Sequence, residues 1–225
     1  MPSDPTILAF DTSAAHCAAA LLCGDSIVYQ TVDPMTRGQA EALMPMLSAI
    51  LSAQGKAWSD LDAIAVGTGP GNFTGIRISV SAARGLALGL GVPAFGVSMF
   101  EVMAFQDTSD NLLVSIPAPR DMAYVQPMQH GRHNGTPQQI DPGVPPRDLE
   151  VSGGMSVLGY RADEISKAYG AHNTPCDLTD IPSRIAQIAA QRWITGEKPP
   201  SPAPLYVRPA DAAPSKHVPP VLLDE

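Results

Sequence analysis

A glycine-rich segment is the part of this sequence whose residue types and spacing could do chemistry. Residues 67–77 read Gly-Thr-Gly-Pro-Gly-Asn-Phe-Thr-Gly-Ile-Arg, between an apolar run and an amphipathic run. Glycines ahead of a helix allow positive φ angles and expose amide N–H groups, and the helix dipole favours an anion there. One interpretation is therefore a vestigial phosphate-binding loop, in which Gly69, Gly71, Thr74 and Gly75 contact the anion.

The same glycines allow a second interpretation that requires no ligand. Asn72 stands where a dinucleotide-binding G-x-G-x-x-G motif has its third glycine, and the Gly-Lys-Ser/Thr ending of a P-loop is missing. The glycines could instead serve a tight connection between a strand and a helix, in which backbones pack closely. The spacing alone is compatible with both interpretations.

A polar turn, Asp11-Thr12-Ser13, follows the first apolar run of the chain. Its carboxylate and hydroxyl oxygens could hold a hydrated Mg²⁺ or contact a phosphate, because hard cations prefer oxygen ligands. The alternative is an Asx turn, in which the Asp11 side chain accepts a hydrogen bond from the backbone amide two residues on. Asp11 and Thr12 are therefore further candidates for the phosphate site, in addition to the four loop residues.

The other candidate nucleophiles and metal ligands form no familiar catalytic set. His130 and His133 lie close together, but the Gly, Asn, Pro and Gln around them predict a loop rather than a rigid metal site. No Gly-x-Ser-x-Gly, His-Glu-x-x-His or Cys-x-x-Cys motif is present in the sequence. Cys17, Cys23 and Cys176 lack metal-type spacing and are predicted to be small core residues. We therefore expect no catalytic residue and no metal site.

The charge balance argues against a surface that binds nucleic acid directly. The 225 residues include 14 Lys and Arg against 22 Asp and Glu, which gives a formal net charge of −8. Contact with a phosphate backbone requires clustered Lys and Arg. No apolar run approaches the ~20 residues that span a bilayer, and the first residues lack the basic character of a signal peptide. We expect a cytoplasmic protein without membrane contact, which meets RNA only through a partner.

The predicted elements indicate an α/β fold of two lobes. Strands are expected at 6–10, 17–22, 26–32, 61–66, 94–97, 112–116, 122–128 and 156–159, and helices at 39–54, 74–89, 98–105 and 183–193. Strands followed by alternating helices and strands are typical of a mixed sheet covered by helices. The first lobe is expected to comprise residues 1–106. A second, smaller and proline-rich lobe with a C-terminal tail would comprise 107–225.

The helix after the glycine loop carries a stripe of small residues. Ile78, Ala82, Gly85 and Gly89 recur every three or four positions, which would let another helix approach closely. Residues on the opposite side can pack on the sheet, namely Ile76, Val80, Ala83 and Ala87. The stripe could contact the chain's own helix at 39–54, a partner chain, or both if the two helices are presented together.

Four segments together match one family over nearly the whole chain. They are Ile-Leu-Ala-Phe-Asp-Thr-Ser at 7–13, Ala-Leu-Met-Pro at 42–45, the long run at 61–87 and Pro-Leu-Tyr-Val-Arg at 204–208. In these residues the sequence resembles the TsaB family of tRNA threonylcarbamoyladenosine biosynthesis proteins. The resemblance implies an actin-like, hsp70-like and sugar-kinase-like (ribonuclease H-like) fold, with two lobes whose mixed sheets are flanked by helices.

The resemblance also implies a glycoprotease-like, non-catalytic subunit. TsaB proteins pair through first-lobe helices with TsaD, which transfers the threonylcarbamoyl group to an adenosine beside the anticodon, and the ATPase TsaE joins the pair. It implies no tightly bound cofactor, with ATP or ADP and Mg²⁺ only at the interface of the complex, and tRNA contact only through that complex. The residues expected to contact the partner are Leu43, Met44, Leu47, Ile78, Ala82 and Gly85. Leu43, Met44 and Leu47 of the first helix would be exposed in the isolated chain. We therefore expect a homodimer when TsaD is absent.

Two positions depart from the family pattern. Gln39 replaces a common His in the first long helix, and Pro117 replaces the Asp that commonly opens the second lobe. The second change removes a carboxylate from the cleft between the lobes. It weakens the alternative function, a nucleotide-dependent small-molecule enzyme of the sugar-kinase type with phosphate at 69–75 and Mg²⁺ near Asp11. A third function, a metallopeptidase, is less favoured than the sugar-kinase type, because the chain has no His-x-x-x-His motif.

Overall fold

Two mixed sheets form the framework of the computed structural model, which describes residues 4–146, 149 and 154–207. The first sheet has the order β3-β2-β1-β4-β5. Its strands are β1 Thr6–Asp11, β2 His16–Cys23, β3 Ser26–Pro34, β4 Ala63–Gly67 and β5 Ala94–Val97. β1 pairs antiparallel with β2 and parallel with β4. Every residue of β1 and β4 is buried, as their continuous apolar sequences predict.

Two long helices, α1 Gln39–Ala53 and α2 Phe73–Leu90, pack on this sheet and on each other. Their buried residues share one apolar cluster with β1, β2 and β4. Pro45 lies inside α1, where it removes one backbone donor, and the helix nevertheless continues to Ala53. Gly91 ends α2 in the left-handed conformation, with φ of +71°.

The second sheet has six strands, in the order β11-β10-β6-β7-β8 with β9 also on β7. They are β6 Leu112–Pro117, β7 Ala123–Gln129, β8 Arg132–His133, β9 Gln138–Ile140, β10 Ser156–Gly159 and β11 His172–Thr174. A helix, α4 Ala162–Tyr169, packs on β10 and β11. The sequence predicted β6, β7 and β10 but not the other strands or α4. These elements are short or largely polar, so they carry little apolar periodicity.

The two remaining helices, α3 Met99–Met103 and α5 Ile181–Ile194, belong to a core cluster that contains residues of both sheets. α5 follows the second sheet in sequence but packs against β1 and β2 of the first. Arg192 of α5 forms a largely buried ion pair with Glu101 of α3. The lobe boundary at residue 106 stays a prediction, and α5 shows that the later segment also covers the first sheet.

The predicted α/β fold class is confirmed, because two mixed sheets are flanked by helices. No helix in the described part of the chain is long and apolar enough to cross a bilayer. The last residue of the closing family match, Arg208, and the rest of the tail lie outside the described residues.

The three cysteines differ in exposure. Cys17 is buried and Cys23 partly buried, but Cys176 is exposed, so the prediction of a core position is wrong for Cys176. Cys176 lies in the irregular segment between β11 and α5. Burial, with Asp33 and Asp11 nearby, raises the pKa of the Cys17 thiol to about 11.

We expect Cys17 to resist iodoacetamide at about pH 8 while Cys176 reacts, because desolvation raises the pKa of both thiols but only Cys176 is exposed to the reagent. The raised pKa leaves almost all of Cys17 protonated at that pH, and its burial excludes the reagent. Mass spectrometry of peptides from the labelled native protein measures both sites. Equal labelling rates would contradict the buried position of Cys17, and denatured protein serves as the control in which both react.

Candidate functional site

The glycine loop and the Asp11-Thr12-Ser13 turn lie against each other, beside the ends of the parallel strands β1 and β4. The Asn72 amide donates a hydrogen bond to the Ser13 carbonyl oxygen at 2.6 Å. Thr12 Oγ1 donates to the Gly75 carbonyl oxygen at 2.7 Å, and Thr12 is completely buried. The two motifs, which the sequence indicates as parts of one candidate phosphate site, therefore form one packed unit.

Close approach of backbones explains the glycines of this loop. A Cβ atom at Gly75 would lie 1.9 Å from the Thr12 carbonyl oxygen, and one at Gly71 would lie 2.3 Å from the Ser13 carbonyl oxygen. Gly69 has φ of +87°, a conformation that favours glycine. The distances support the interpretation in which the loop is a tight connection between strand and helix.

The start of α2 is capped by the chain itself. Asn72 is the N-cap residue, and its Oδ1 accepts a hydrogen bond from the Gly75 amide at 2.8 Å. The residue that breaks the dinucleotide pattern thus has a structural role. The backbone amides of Asn72 and Gly75 both donate hydrogen bonds within the chain, so neither is available to an anion. Of the predicted phosphate contacts in this loop, Thr74 is exposed. Phosphate binding by this loop stays a prediction that the geometry does not favour.

Asp11 forms the Asx turn that the sequence allowed. Its Oδ1 accepts hydrogen bonds from the Ser13 amide at 3.0 Å and the Ser13 hydroxyl at 2.9 Å. His16 Nε2 lies 2.8 Å from the same oxygen, a contact that the sequence pattern does not predict. Asp11 and His16 are five residues apart, and their contact can be predicted only when the β1–β2 hairpin is known.

The second carboxylate oxygen of Asp11 does not fit a hydrated Mg²⁺. Oδ2 is buried and has no hydrogen-bond partner among the described residues. It lies so close to the backbone that a Cβ on Gly67 would be 2.0 Å away. Hydrated Mg²⁺ needs room for its waters. In the described part of the chain, no group of three or more His, Cys, Asp or Glu could hold a metal.

A cavity of about 700 Å³ opens between the two sheets. Its lining includes Arg132, His133, Arg192 and the segment 199–205. Both arginines have acidic partners, because Arg192 pairs with Glu101 and Arg132 Nη2 lies 3.7 Å from Glu197 Oε2. Among the described residues, the lining of the cavity therefore offers no arginine that is free to neutralise a nucleotide phosphate.

The residues predicted to contact a partner divide into buried and accessible ones. Leu43 is 1% exposed and Leu47 is 0% exposed, because α1 turns both toward the sheet and α2. The expectation that both leucines are exposed in the isolated chain is therefore wrong. Met44 is 41% exposed, Ile78 and Ala82 are half-buried, and Gly85 is exposed. Partner contact stays a prediction, now for these accessible residues.

An exposed cluster joins α2 to the segment after α5. The rings of Phe73 and Tyr206 stack with centroids 5.0 Å apart, and the Arg77 guanidinium carbon lies 3.9 Å from the Phe73 centroid. Arg77 Nε donates a hydrogen bond to Tyr206 Oη at 2.8 Å. The Leu205 amide donates to the Thr68 carbonyl oxygen, which holds the segment against the glycine loop. Local sequence patterns could not pair these residues, because they are far apart in the chain.

Comparisons with known proteins find relatives both in sequence and in structure. Residues 33–141 match the family model described as TsaD, tRNA N6-adenosine threonylcarbamoyltransferase. An uncharacterised protein of Mycobacterium tuberculosis is 30% identical over 212 residues, which cover 93% of this chain and 94% of the relative. The tRNA threonylcarbamoyladenosine biosynthesis protein TsaB of Bacillus subtilis is 33% identical over 155 residues, covering 68% of this chain and 66% of that protein.

The similarity to TsaB of Escherichia coli is higher but shorter. It reaches 41% identity over 98 residues, which cover 44% of this chain and 42% of the relative. Among solved structures, YeaZ from Pseudomonas aeruginosa has a TM-score of 0.66 and 27% identity, with 90% of this chain and 99% of that chain covered.

Proposed function

Because this chain belongs to the TsaB family of tRNA threonylcarbamoyladenosine biosynthesis proteins, we propose that it is the non-catalytic scaffold of a threonylcarbamoyl transferase complex. In this proposal it binds and activates a TsaD-like subunit and helps to recruit a TsaE-like ATPase. ATP or ADP with Mg²⁺ is assigned to the interface of that complex. tRNA is held by the partners, since this chain has a net charge of −8.

The observation that carries the proposal is an open face on α2. A Cβ atom at Gly85 or Gly89 would meet nothing within 4 Å in the described part of the chain. Glycine inside a helix costs about 1 kcal/mol relative to alanine. Since no packing among the described residues requires these glycines, close approach of a partner helix is the physical reason that we infer.

We assign Met44 on α1 to the same interface, because α1 and α2 pack side by side. Its side chain is 41% exposed, while Ile78 and Ala82 are half-buried beside Gly85. An apolar, accessible pair of helices can bury itself on a TsaD-like subunit. The same face would form the proposed homodimer when that subunit is absent.

We expect Gly85→Leu to reduce co-purification with the cell's own TsaD by more than about tenfold, because a bulky side chain holds the two helices apart. Threonylcarbamoyl transfer to tRNA by the reconstituted complex should fall with it. The matched control is Ala168→Leu, which adds a leucine at an exposed position of α4. Both variants should unfold at nearly the temperature of the unmodified protein.

Unchanged co-purification and transfer with the Gly85→Leu variant would contradict the proposal. ATP turnover by the isolated chain would instead support the alternative, a small-molecule enzyme of the sugar-kinase type.

A further inference from the structure

A second row of side chains on α2 lies beside the open glycine face. Its members follow each other by three or four positions and are all exposed: Phe73, Arg77, Ser81, Arg84 and Leu88. Leu88 is 86% exposed, and Phe73 is 39% exposed. We call these five residues the arginine row. Such a row flanks the helix face to which the proposed function assigns the partner.

The arginine row is positively charged in an acidic chain. α2 contains no Asp or Glu, although the whole chain has a formal net charge of −8. Neither Arg77 nor Arg84 forms an ion pair with a carboxylate of the described residues. Arg37, Arg120 and Arg184 likewise form no ion pair there, but they lie on three separate segments, whereas Arg77 and Arg84 lie on one exposed side of α2. The row therefore lacks its counter-charges within this part of the chain.

Arg77 is held in place by neighbours that do not neutralise it. Its guanidinium group lies over the Phe73 ring, and its Nε–H is used by Tyr206 Oη. Among the described residues no group bonds its two terminal nitrogens, whose planar donors match the geometry of a carboxylate. Because the side chain is already ordered, less conformational entropy is lost when it binds an acidic group.

We propose that the arginine row binds carboxylates on a helix of the TsaD-like partner and so makes the homodimer of two copies weaker than pairing with that partner. The inference rests on the proposed function, since both concern the exposed surface of α2. A symmetric complex of two copies brings two positive rows to the same interface, and like charges there oppose association. A partner helix with Asp or Glu beside its contact face supplies the missing charges, as flanking residues do in coiled coils.

RNA is the less favoured occupant of this surface. The row contains two cations and lies on a strongly acidic chain, whereas RNA binding requires a larger basic surface. The small residues next to the row also suit the close approach of a helix more than that of a phosphate backbone.

The test is the affinity of Arg84→Glu for the cell's own TsaD. At about 50 mM salt we expect a loss of about tenfold or more, which shrinks at about 0.5 M salt because screening weakens the repulsion. Arg120→Glu is the matched control, with the same charge change on the exposed turn between β6 and β7. It should change the affinity by less than about twofold.

The Arg84→Gln variant distinguishes the loss of a positive charge from general destabilisation of the protein. Removing the charge should weaken binding to TsaD by about threefold and strengthen self-association by a similar factor, as measured by sedimentation. Normal TsaD binding by the Arg84→Glu variant would overturn the inference but not the proposed function. Absence of TsaD binding by the unmodified chain would overturn both. Binding of tRNA to the isolated chain that Arg84→Glu abolishes would assign the row to RNA and overturn the inference.

Discussion

Gly75→Ala should lower the free energy of unfolding by about 3 kcal/mol or more, through overpacking and backbone strain. The added Cβ would lie 1.9 Å from the Thr12 carbonyl oxygen and 3.0 Å from its carbon. Thr12 cannot withdraw easily, because it is completely buried and its hydroxyl is bonded to the Gly75 carbonyl. Relief requires the turn after β1 to separate from the start of α2. Urea unfolding followed by circular dichroism measures the effect.

The matched control is Gly85→Ala in the same helix. Here the added Cβ meets nothing within 4 Å among the described residues, so only helix propensity changes. We expect stabilisation by about 0.5–1 kcal/mol. Opposite signs for one chemical change in one helix would establish that the Gly75 effect arises from contact with the turn. Small and equal effects at both positions would contradict the packing of loop on turn.

Much of the first lobe could be predicted from the sequence. The fully buried strands β1 and β4 are continuous apolar runs, and Gly55 and Gly91 follow the ends of α1 and α2. The position of α5 could not be predicted. Its periodicity indicates a helix, but nothing local in residues 181–194 says that it packs on β1 and β2 rather than on the nearer second sheet.

The residues of the candidate site could be predicted from the sequence, but the contacts between them could not. The sequence indicates Asp11 and the glycine loop as candidate site residues, and the Asx turn is one of the alternatives that it leaves open. What decides between the alternatives is the meeting of Thr12 with Gly75, 63 positions apart. The bond between Arg77 and Tyr206 joins residues 129 positions apart. Helical periodicity likewise identified Leu43 and Leu47 as apolar but could not say which neighbour would cover them.

The burial of Leu47 leads to the other large expected effect. Leu47→Ala should destabilise the protein by about 2–5 kcal/mol, the range for a large side chain removed from a packed core. Its side chain is 0% exposed and belongs to the cluster between α1, α2 and the first sheet. Met44→Ala, three positions earlier on the same helix, should change stability by less than about 0.5 kcal/mol. Urea unfolding of the two variants measures both values.

The two substitutions should affect pairing with TsaD in the opposite order, so that Met44→Ala weakens pairing more than Leu47→Ala does. Each variant is measured well below its own unfolding transition. Met44 is accessible on the proposed interface, so its truncation removes contact area without disturbing the core. Leu47 acts on pairing only by holding α1 in place, so the folded fraction of the Leu47→Ala variant should bind nearly as well as the unmodified chain. A stable Leu47→Ala variant that fails to bind TsaD would show that the leucine faces the partner, which contradicts the placement of α1.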